Sequence, residues 1–190
     1  MAIIGKLLEN RRAGPERLAW NAPNPAAAQT LALHSADFED QGTIPTVHAG
    51  KRAGGTDLSP ALTWSPAPEG TAQWLPVIED PDAPTPTPFV HCVALLEPGL
   101  SGIGHGALDD KSPSAGVRIL RSDLGRGYRG PAPIKGHGPH RYAFQLFALA
   151  EPVAAAAGGR APDAGKPRDV IASADKTLAR GRLDGFCERR

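Results

Sequence analysis

The sequence predicts a mostly β protein, an antiparallel β-sandwich with a few peripheral helices. Two observations lead to this prediction. The 190-residue chain spreads 22 glycines and 20 prolines between short apolar runs, a spacing that interrupts helices and suits loops and short strands. The apolar runs are roughly four to eight residues long, and clusters of turn-forming residues separate them. A chain of this length is large enough to bury one core.

The N-terminal residues 1–30 are predicted to form an extension ahead of the main domain, which spans residues 31–190. Residues 3–12 are expected to form a short helix, and the proline-containing stretch 21–29 is typical of a linker. The helix would carry an apolar stripe on one face. We expect this stripe to dock, either on the domain itself or on a second subunit in a homodimer, and a frayed tail is the alternative. The stripe consists of Ile3, Ile4, Leu7 and Leu8.

The main domain shows β-like runs in its first two thirds and helical patterns only near its end. Pro76 interrupts one run, which predicts an edge strand or a bulge there. Helices are expected over 150–157 and about 168–180. The predicted strands are residues 30–35, 44–48, 61–64, 74–79, 89–96 and 142–149.

Composition and charge argue against several classes of protein. The net charge is +1 and no Lys/Arg cluster dominates, so nothing suggests binding to nucleic acid or to an anionic membrane. The only cysteines, Cys92 and Cys187, do not make a disulfide framework, which favours a reducing compartment. No stretch approaches the roughly 20 apolar residues of a membrane helix. We therefore expect a cytoplasmic protein without an integral membrane segment.

The stretch EDPDAPTPTPFVHCV, residues 79–93, places two acids ahead of a histidine. Asp80 and Asp82 flank a proline in a proline-rich loop, and His91 then opens an apolar strand. Prolines restrict the unfolded chain as well as the folded one, so such a loop holds its acids at a low cost in entropy. His140 and Tyr142 likewise lie two apart at the start of a strand, on one face. Two such strand starts side by side would form the rim of a pocket.

Three other chemistries were weighed for these segments. His137 and His140 have a ligand-like interval, but Pro139 forbids the helix that such pairs use, and no metal is predicted. No Gly-x-Ser-x-Gly motif is present, and Cys92 points away from His91 into the predicted core. The glycines of GRGYRG match a dinucleotide-binding pattern, but the prolines that follow prevent the helix this site requires, so we expect a turn; they are Gly125, Gly127 and Gly130.

Several segments, in this order, resemble the phosphatidylethanolamine-binding protein family, which includes bacterial Raf-kinase-inhibitor-like proteins. The combined D-P-D-A-P and G-x-G-P-H-R-Y blocks are the most specific part, and the resemblance covers roughly residues 31–190. The segments are SPALTW (59–64), APEG (67–70), EDPDAP (79–84), FVH (89–91), YRGPAP (128–133) and GHGPHRYAFQLFAL (136–149).

The resemblance implies a β-sandwich with a small cavity that binds anions, phosphate groups above all. It implies a binding protein without a cofactor, not an enzyme, whose physiological role is to inhibit a kinase or protease partner. The alternative is a hydrolase in which an Asp–His pair activates water. Carried over by position, the ligand-binding residues are Asp80, Asp82, Phe89, His91, Gly130, Ala132, Pro133, His140 and Tyr142.

The two acids raise a difficulty for an anion site. Two unit charges about 4 Å apart repel by on the order of 4 kcal/mol at an effective dielectric near 20. Asp80 and Asp82 are therefore expected to hold imidazoles protonated and oriented, or to share a proton. His91 and His140 would then donate to the anion, with pKa values that the nearby acids raise toward neutrality.

Overall fold

The computed structural model of the chain describes residues 2–190. In that range it contains two α-helices, α1 (Ala2–Leu8) and α2 (Pro167–Ile171), five short 3-10 helices and twelve strands. The strands are β1 (Gln29–Leu31), β2 (Leu33–His34), β3 (Gly42–Thr43), β4 (Leu62–Trp64), β5 (Gln73–Asp80), β6 (Phe89–Leu96), β7 (Gly102–Ile103), β8 (Val117–Ile119), β9 (Arg121–Ser122), β10 (Gly125–Arg126), β11 (His140–Leu149) and β12 (Thr177–Cys187).

The strands of the described region form one large sheet and two small ones. The large sheet has the order β1-β12-β11-β5-β6-β8, and β3 also pairs with β12. Its long strands are antiparallel to one another, whereas the short β1 and β3 run parallel to β12. The second sheet has the order β2-β4-β7, and β9 and β10 form a hairpin. The predicted mostly β fold class is confirmed.

Apolar side chains cover the large sheet on both faces. One cluster packs it against the three-stranded sheet of β2, β4 and β7 and includes Trp64, Trp74 and Phe144. The other lies on the opposite face, where Leu75 and Phe147 meet residues of α2 and of the N-terminal segment. Because β5 and β11 are buried on both sides, their sequences are almost continuously apolar.

Pro76 does not mark an edge strand, so the first alternative of that prediction was wrong, while the bulge lies two residues further along the same strand. It lies in β5, between β11 and β6, in the middle of the large sheet. The ladder between β5 and β6 pairs Trp74 with Leu96 and Val77 with Val93 but skips Leu75 and Pro76. The interruption accommodates a residue that has no N–H to donate, and a bulge follows between Ile78 and Glu79.

The two helices expected in the last third are also corrected. Residues 150–157 are not helical, and α2 spans only Pro167–Ile171. Thr177–Cys187 is an 11-residue strand that pairs with β11, β1 and β3. Its inward positions include Gly181 and Gly185, so the alternation of apolar and polar residues is weak in the sequence. A Cβ on Gly185 would lie 2.5 Å from Cγ1 of Ile44, and this close approach requires glycine there.

The N-terminal segment packs on the domain at Gly5 and Leu8 and again from Ala13 onward. Leu18 and Ala19 are buried, and the backbone N–H groups of Ala13 and Gly14 donate to Ala83 and Pro81 at 2.9 and 3.0 Å. Residues 22–28, most of the predicted linker, form no helix or strand and lie between the 3-10 helix Ala19–Asn21 and β1. The domain boundary at residue 30 stays a prediction.

Two smaller features complete the fold. The turn of the β9–β10 hairpin lies at residues 123–124, so the GRGYRG stretch begins with strand β10 and a bend at Gly127 with φ of 76°, and not with the predicted turn. No helix begins in residues 125–130. Across residues 2–190, no helix combines the length and the apolar character that crossing a membrane requires.

Candidate functional site

A cavity of about 550 Å³ opens at one end of the central strands of the large sheet. Strand β5 ends there at Asp80, while the antiparallel neighbours β6 and β11 begin there with Phe89 and His140. The loop of residues 129–134 and the 3-10 helix Lys51–Ala53 form further walls. A second cavity, of about 380 Å³, lies at the opposite end of β5 and β6 and has no histidine in its lining.

Eight of the nine residues that the resemblance assigned to a ligand site line this cavity. They are Asp80, Phe89, His91, Gly130, Ala132, Pro133, His140 and Tyr142. The rings of Phe89 and His91 have centroids 5.4 Å apart, and those of His91 and Tyr142 lie 5.1 Å apart. His91 and His140 were expected on neighbouring strands, but β5 lies between β6 and β11. This arrangement brings Asp80 between the two histidines. Whether these residues bind a ligand stays a prediction.

Asp82 is the ninth predicted residue, and it does not line the cavity. Its Oδ1 lies 2.8 Å from Nη1 of Arg12, and its Oδ2 accepts the Arg141 N–H at 2.7 Å. Its own N–H donates to Oδ1 of Asp80 at 2.8 Å, which forms an Asx-turn. Asp82 therefore fixes the turn that presents Asp80, and its charge faces an arginine of the N-terminal segment.

Asp80, His140 and His137 form a chain of short hydrogen bonds. Nδ1 of His140 lies 2.7 Å from Oδ2 of Asp80, and its Nε2 lies 2.7 Å from Nδ1 of His137. Nε2 of His137 lies 2.7 Å from the carbonyl oxygen of Leu8. All three polar side chains are buried.

The hydrogen-bond partners set the number of protons in this chain. The Leu8 carbonyl can only accept, so Nε2 of His137 carries a proton. The two remaining contacts need one proton each, which makes three protons in all. Two neutral imidazoles and an ionised carboxylate hold only two, so the chain holds one extra proton. Asp80, His137 and His140 together thus have no net charge, and the expectation that the acid shares or stabilises a proton on a histidine fits this arrangement.

His91 is the pocket histidine with a ring nitrogen available to a ligand. Its Nδ1 lies 2.6 Å from the Arg129 carbonyl oxygen and therefore donates to it. Within residues 2–190, Nε2 of His91 has no hydrogen-bond partner. Burial lowers the pKa of His91 below its ordinary 6.5, although Asp80 and the Arg129 carbonyl act to raise it. The nearby acids do raise this pKa as expected, but loss of solvent outweighs their charge, so the expected net shift upward was wrong.

Two further ionisable groups stay neutral because they are buried. Burial raises the pKa of Tyr142 well above its ordinary value, and the charge of Asp80 adds to the effect. Its hydroxyl therefore keeps its proton near the cavity. Burial also raises the pKa of the Cys92 thiol to about 12, and Cys92 belongs to the apolar core as predicted. A thiol in that state is a poor nucleophile.

Three cationic residues of the cavity lining were not predicted. Lys51, Arg52 and Arg129 line it together with one further acid, Asp57. Asp57 accepts the Gly130 N–H at 2.9 Å and so holds the loop wall in place. None of the three cations forms an ion pair with any residue that the structure describes. Their only signal in the sequence is a Lys-Arg pair between glycines and the arginine of the YRGPAP segment, neither of which is specific.

Comparisons with known proteins agree with the resemblance. A family model described as phosphatidylethanolamine-binding protein matches residues 34–186. A UPF0098 protein of Aquifex aeolicus is 33% identical over 168 residues, which cover 86% of this chain and 92% of that protein. The phomoidride biosynthesis cluster protein B of a fungus is 31% identical over 178 residues, which cover 88% of this chain and 85% of that protein.

Solved structures show the same likeness in three dimensions. Escherichia coli YbcL, described as a new member of the mammalian PEBP family, superposes with a TM-score of 0.71 at 27% identity and covers 84% of this chain and 99% of its own. The phosphatidylethanolamine-binding protein homologue CT736 of Chlamydia trachomatis gives 0.68 at 21% identity, covering 86% and 100%. At that identity, the second match shows the fold alone.

Proposed function

This chain belongs to the phosphatidylethanolamine-binding protein family, and we propose that it binds a small anion or a phosphorylated headgroup in the cavity beside His91. The observation that carries the proposal is the charge balance of the cavity. Asp80 is neutralised by the extra proton that it shares with His140 and His137, and Asp82 by Arg12.

The remaining charges of the lining are then mostly positive. Lys51, Arg52 and Arg129 contribute three positive charges, and Asp57 contributes one negative charge, which leaves a net +2. A cationic cavity of limited volume attracts an anion and keeps its charge partly out of water, where a charge-assisted hydrogen bond is stronger than in solvent.

The donors in the cavity match an oxyanion or a phosphate group. The guanidinium of Arg129 can donate two parallel hydrogen bonds, and the Tyr142 hydroxyl can donate one. Nε2 of His91 donates when the ring is protonated and accepts when it is neutral. A neutral His91 would therefore suit a phosphate that keeps one O–H, while a protonated His91 would suit a fully ionised anion.

The alternative function, hydrolysis by an Asp–His pair, has less support. Asp80 and His140 do form a pair, but Nε2 of His140 is occupied by His137 and is not free to take a proton from water. Cys92 is buried in the core. The arrangement therefore favours binding over turnover.

Calorimetric titration with inorganic phosphate and with phosphoethanolamine at about pH 6 tests the proposal. We expect saturable binding of one ligand per chain, and Arg129→Ala should weaken it at least tenfold, because a lost charge-assisted hydrogen bond is worth about 1.5–3 kcal/mol. Lys111→Ala, an exposed lysine outside the cavity, is the matched control and should bind as the wild type does. An Arg129→Ala protein that binds with unchanged affinity would refute the proposed site.

The same preparations, incubated with phosphate esters and carboxylate esters, test the hydrolase. Turnover that disappears in His140→Ala would favour the enzyme over the binding protein. No turnover, together with saturable phosphate binding, supports the proposal.

A further inference from the structure

A cluster of two histidines and an aspartate lies in the loops beside the three-stranded sheet, outside the anion cavity. Asp37 follows β2, His48 ends the 3-10 helix Thr46–His48, and His105 follows β7. One ligand atom from each residue lies within 4.8 Å of the other two. The resemblance assigned no role to any of the three residues, and none of them lines the cavity beside His91.

We propose that Asp37, His48 and His105 form a binding site for a divalent transition-metal ion, with Zn²⁺ as the ion that fits best. Two imidazoles and one carboxylate are ligands that Zn²⁺ accepts, and three protein ligands leave a fourth position open to water or to a second molecule. The two nitrogen ligands disfavour Ca²⁺ and Mg²⁺, which prefer oxygen.

Two of the three distances between ligand atoms are close to those around a tetrahedral ion, and the third lies within 4.8 Å. Bonds of about 2.0–2.1 Å at tetrahedral angles put neighbouring ligand atoms about 3.3 Å apart. Oδ2 of Asp37 lies 3.6 Å from Nε2 of His48 and 3.0 Å from Nε2 of His105. The first distance is longer than a hydrogen bond, although the His48 ring is only 2% exposed. A nitrogen of a buried imidazole ring therefore faces the carboxylate without a hydrogen bond to it.

The surrounding backbone holds two of the ligands in the state that a metal needs. Nδ1 of His48 donates to the Leu58 carbonyl oxygen at 2.8 Å, so the neutral ring presents the lone pair of Nε2 toward Asp37. Oδ2 of Asp37 accepts the Ala61 N–H at 2.9 Å. Metal-bound histidines and carboxylates in proteins are oriented by hydrogen bonds of this kind. One short segment, residues 58–61, thus orients both ligands.

His105 is the adjustable ligand of the three. Its side chain is 52% exposed, and it lies between Gly104 and Gly106, of which Gly106 has φ of 72°. A Cβ on Gly104 would have nothing within 4 Å, so the loop has room to shift. In the metal-free protein Nε2 of His105 carries the proton of its hydrogen bond with Asp37, so coordination through Nε2 requires the ring to change to the neutral tautomer with the proton on Nδ1 and to shift toward the shared ion. An open side toward solvent gives the ion an entry path.

Zn²⁺ titration of the tag-free protein, stripped with a chelator, tests the site. The readouts are competition with a chromophoric chelator, the visible absorption of Co²⁺ as a substitute ion, and the thermal midpoint with and without Zn²⁺. We expect one ion per chain, a Co²⁺ spectrum of four-coordinate intensity, and a higher midpoint with Zn²⁺, since an ion that binds only the folded state stabilises it.

The variant His105→Ala removes an exposed ligand and should leave the fold intact. It should weaken Zn²⁺ binding at least about a hundredfold and abolish the shift of the midpoint. His34→Ala, which removes another exposed histidine, and His91→Ala, in the anion cavity, should bind Zn²⁺ as the wild type does. Three results would each overturn the proposal: no stoichiometric binding by the wild type, unchanged affinity in His105→Ala, or loss of the ion in His91→Ala. The anion titration above is independent of all three.

Discussion

Single residues decide how an anion can enter a cavity that contains an aspartate. Asp80 can line an anion cavity because the extra proton that it shares with His140 and His137 cancels its charge. Asp82 holds the turn beside it, and Arg12 balances the charge of Asp82. The acids thus orient donors and do not act as bare charges. His91 is the titrating group that a ligand would meet, and its pKa lies below the ordinary value because it is buried.

The pH dependence of sulfate binding should report on His91. Sulfate keeps its charge across the range, and a protonated His91 adds a donor, so affinity should rise as the pH falls below about 6.5. The rise should not centre at neutrality, because the pKa of the free protein is lowered. Calorimetry from about pH 7.5 to about pH 5 measures the profile.

The variant His91→Gln provides the control for this profile. It keeps hydrogen-bonding groups but cannot titrate, so it should bind sulfate more weakly at low pH and with a flat profile. If the variant and the wild type give the same slope, another group is responsible for the pH dependence. A wild-type profile without any slope would mean that neutral donors hold the anion.

At the scale of elements, the N-terminal segment supports the sandwich and the site together. The Ala19 N–H donates to Oε2 of Glu79 at 2.7 Å, and the Trp20 N–H donates to Oε1 of Gln145 at 2.7 Å. The Leu8 carbonyl terminates the histidine chain of the cavity. The segment thus satisfies buried polar groups that the sandwich alone leaves open.

A chain that begins at Thr30 should therefore be less stable than the sequence suggested. It exposes the surface under Leu18 and removes a hydrogen bond from a buried carboxylate, which together should cost about 3 kcal/mol or more of unfolding free energy. Urea denaturation measures the difference. A chain that begins at Leu7 is the matched control, since it keeps these contacts and the Leu8 carbonyl that accepts from His137, and it should lose far less. Equal stability of the two shortened chains would contradict this account.

Helix α1 presents its apolar stripe mostly to solvent. Ile3 and Leu7 are each 82% exposed, so the structure leaves the stripe without a partner among residues 2–190 of its own chain. If the stripe closes a homodimer, the double variant Ile3→Ser with Leu7→Ser should have a lower mass by light scattering than the wild type. Val47→Ser, which also removes an exposed apolar side chain, should leave the mass unchanged. An identical mass for the double variant and the wild type would remove that role.

At the scale of the whole molecule, one buried ion pair joins four parts of the fold. Glu79 on β5 is 0% exposed and meets the N-terminal segment, Gln145 on β11 and Arg168 on α2. Arg168 lies 2.5 Å from Oε1 of Glu79 and also donates to the Pro88 carbonyl. Burial raises the pKa of Glu79, while the charge of Arg168 opposes that shift.

Arg168→Ala should destabilise the protein by about 3 kcal/mol, because it leaves a buried carboxylate without its cation. The pKa of Glu79 in the folded state would rise further, so the folded state would bind more protons than the unfolded one. The loss relative to the wild type should therefore shrink as the pH falls toward 4.5 and grow as the pH rises. Urea denaturation at several pH values measures it.

Two further variants control for this effect. Arg118→Ala removes a surface partner of Asp163 and should cost less than about 1 kcal/mol. Adding Glu79→Gln to Arg168→Ala should recover much of the stability, since the unpaired charge is gone. A double variant as unstable as Arg168→Ala alone would show that lost packing of α2, and not the buried charge, accounts for the change.

Three properties of the whole protein follow from the sequence and its resemblance and not from the fold. Inhibition of a kinase or protease partner, binding in a homodimer and a cytoplasmic location stay predictions from the sequence and its resemblance. The mostly β fold and the family are confirmed.

The sequence by itself determined the fold class and, through the family resemblance, the family and eight of the eighteen residues that line the cavity. The fold class and the strand starts are encoded locally, since glycine and proline set the turns and a period of two places His140 with Tyr142 on one face of a strand. The set of lining residues was implied by the resemblance. The strand starts at Phe89 and His140 could therefore be predicted from the sequence, and both line the same cavity at one end of the large sheet.

Only the tertiary structure decided how distant segments combine. It places β5 and Asp80 between the two histidine strands, turns Asp82 toward Arg12, and makes Thr177–Cys187 a strand whose glycines hide its alternation. It also brings Lys51, Arg52 and Arg129 to the rim of the cavity and gathers Asp37, His48 and His105. Pairing between remote segments depends on which surfaces bury each other, and the periodicity of one short run carries no information about its partner.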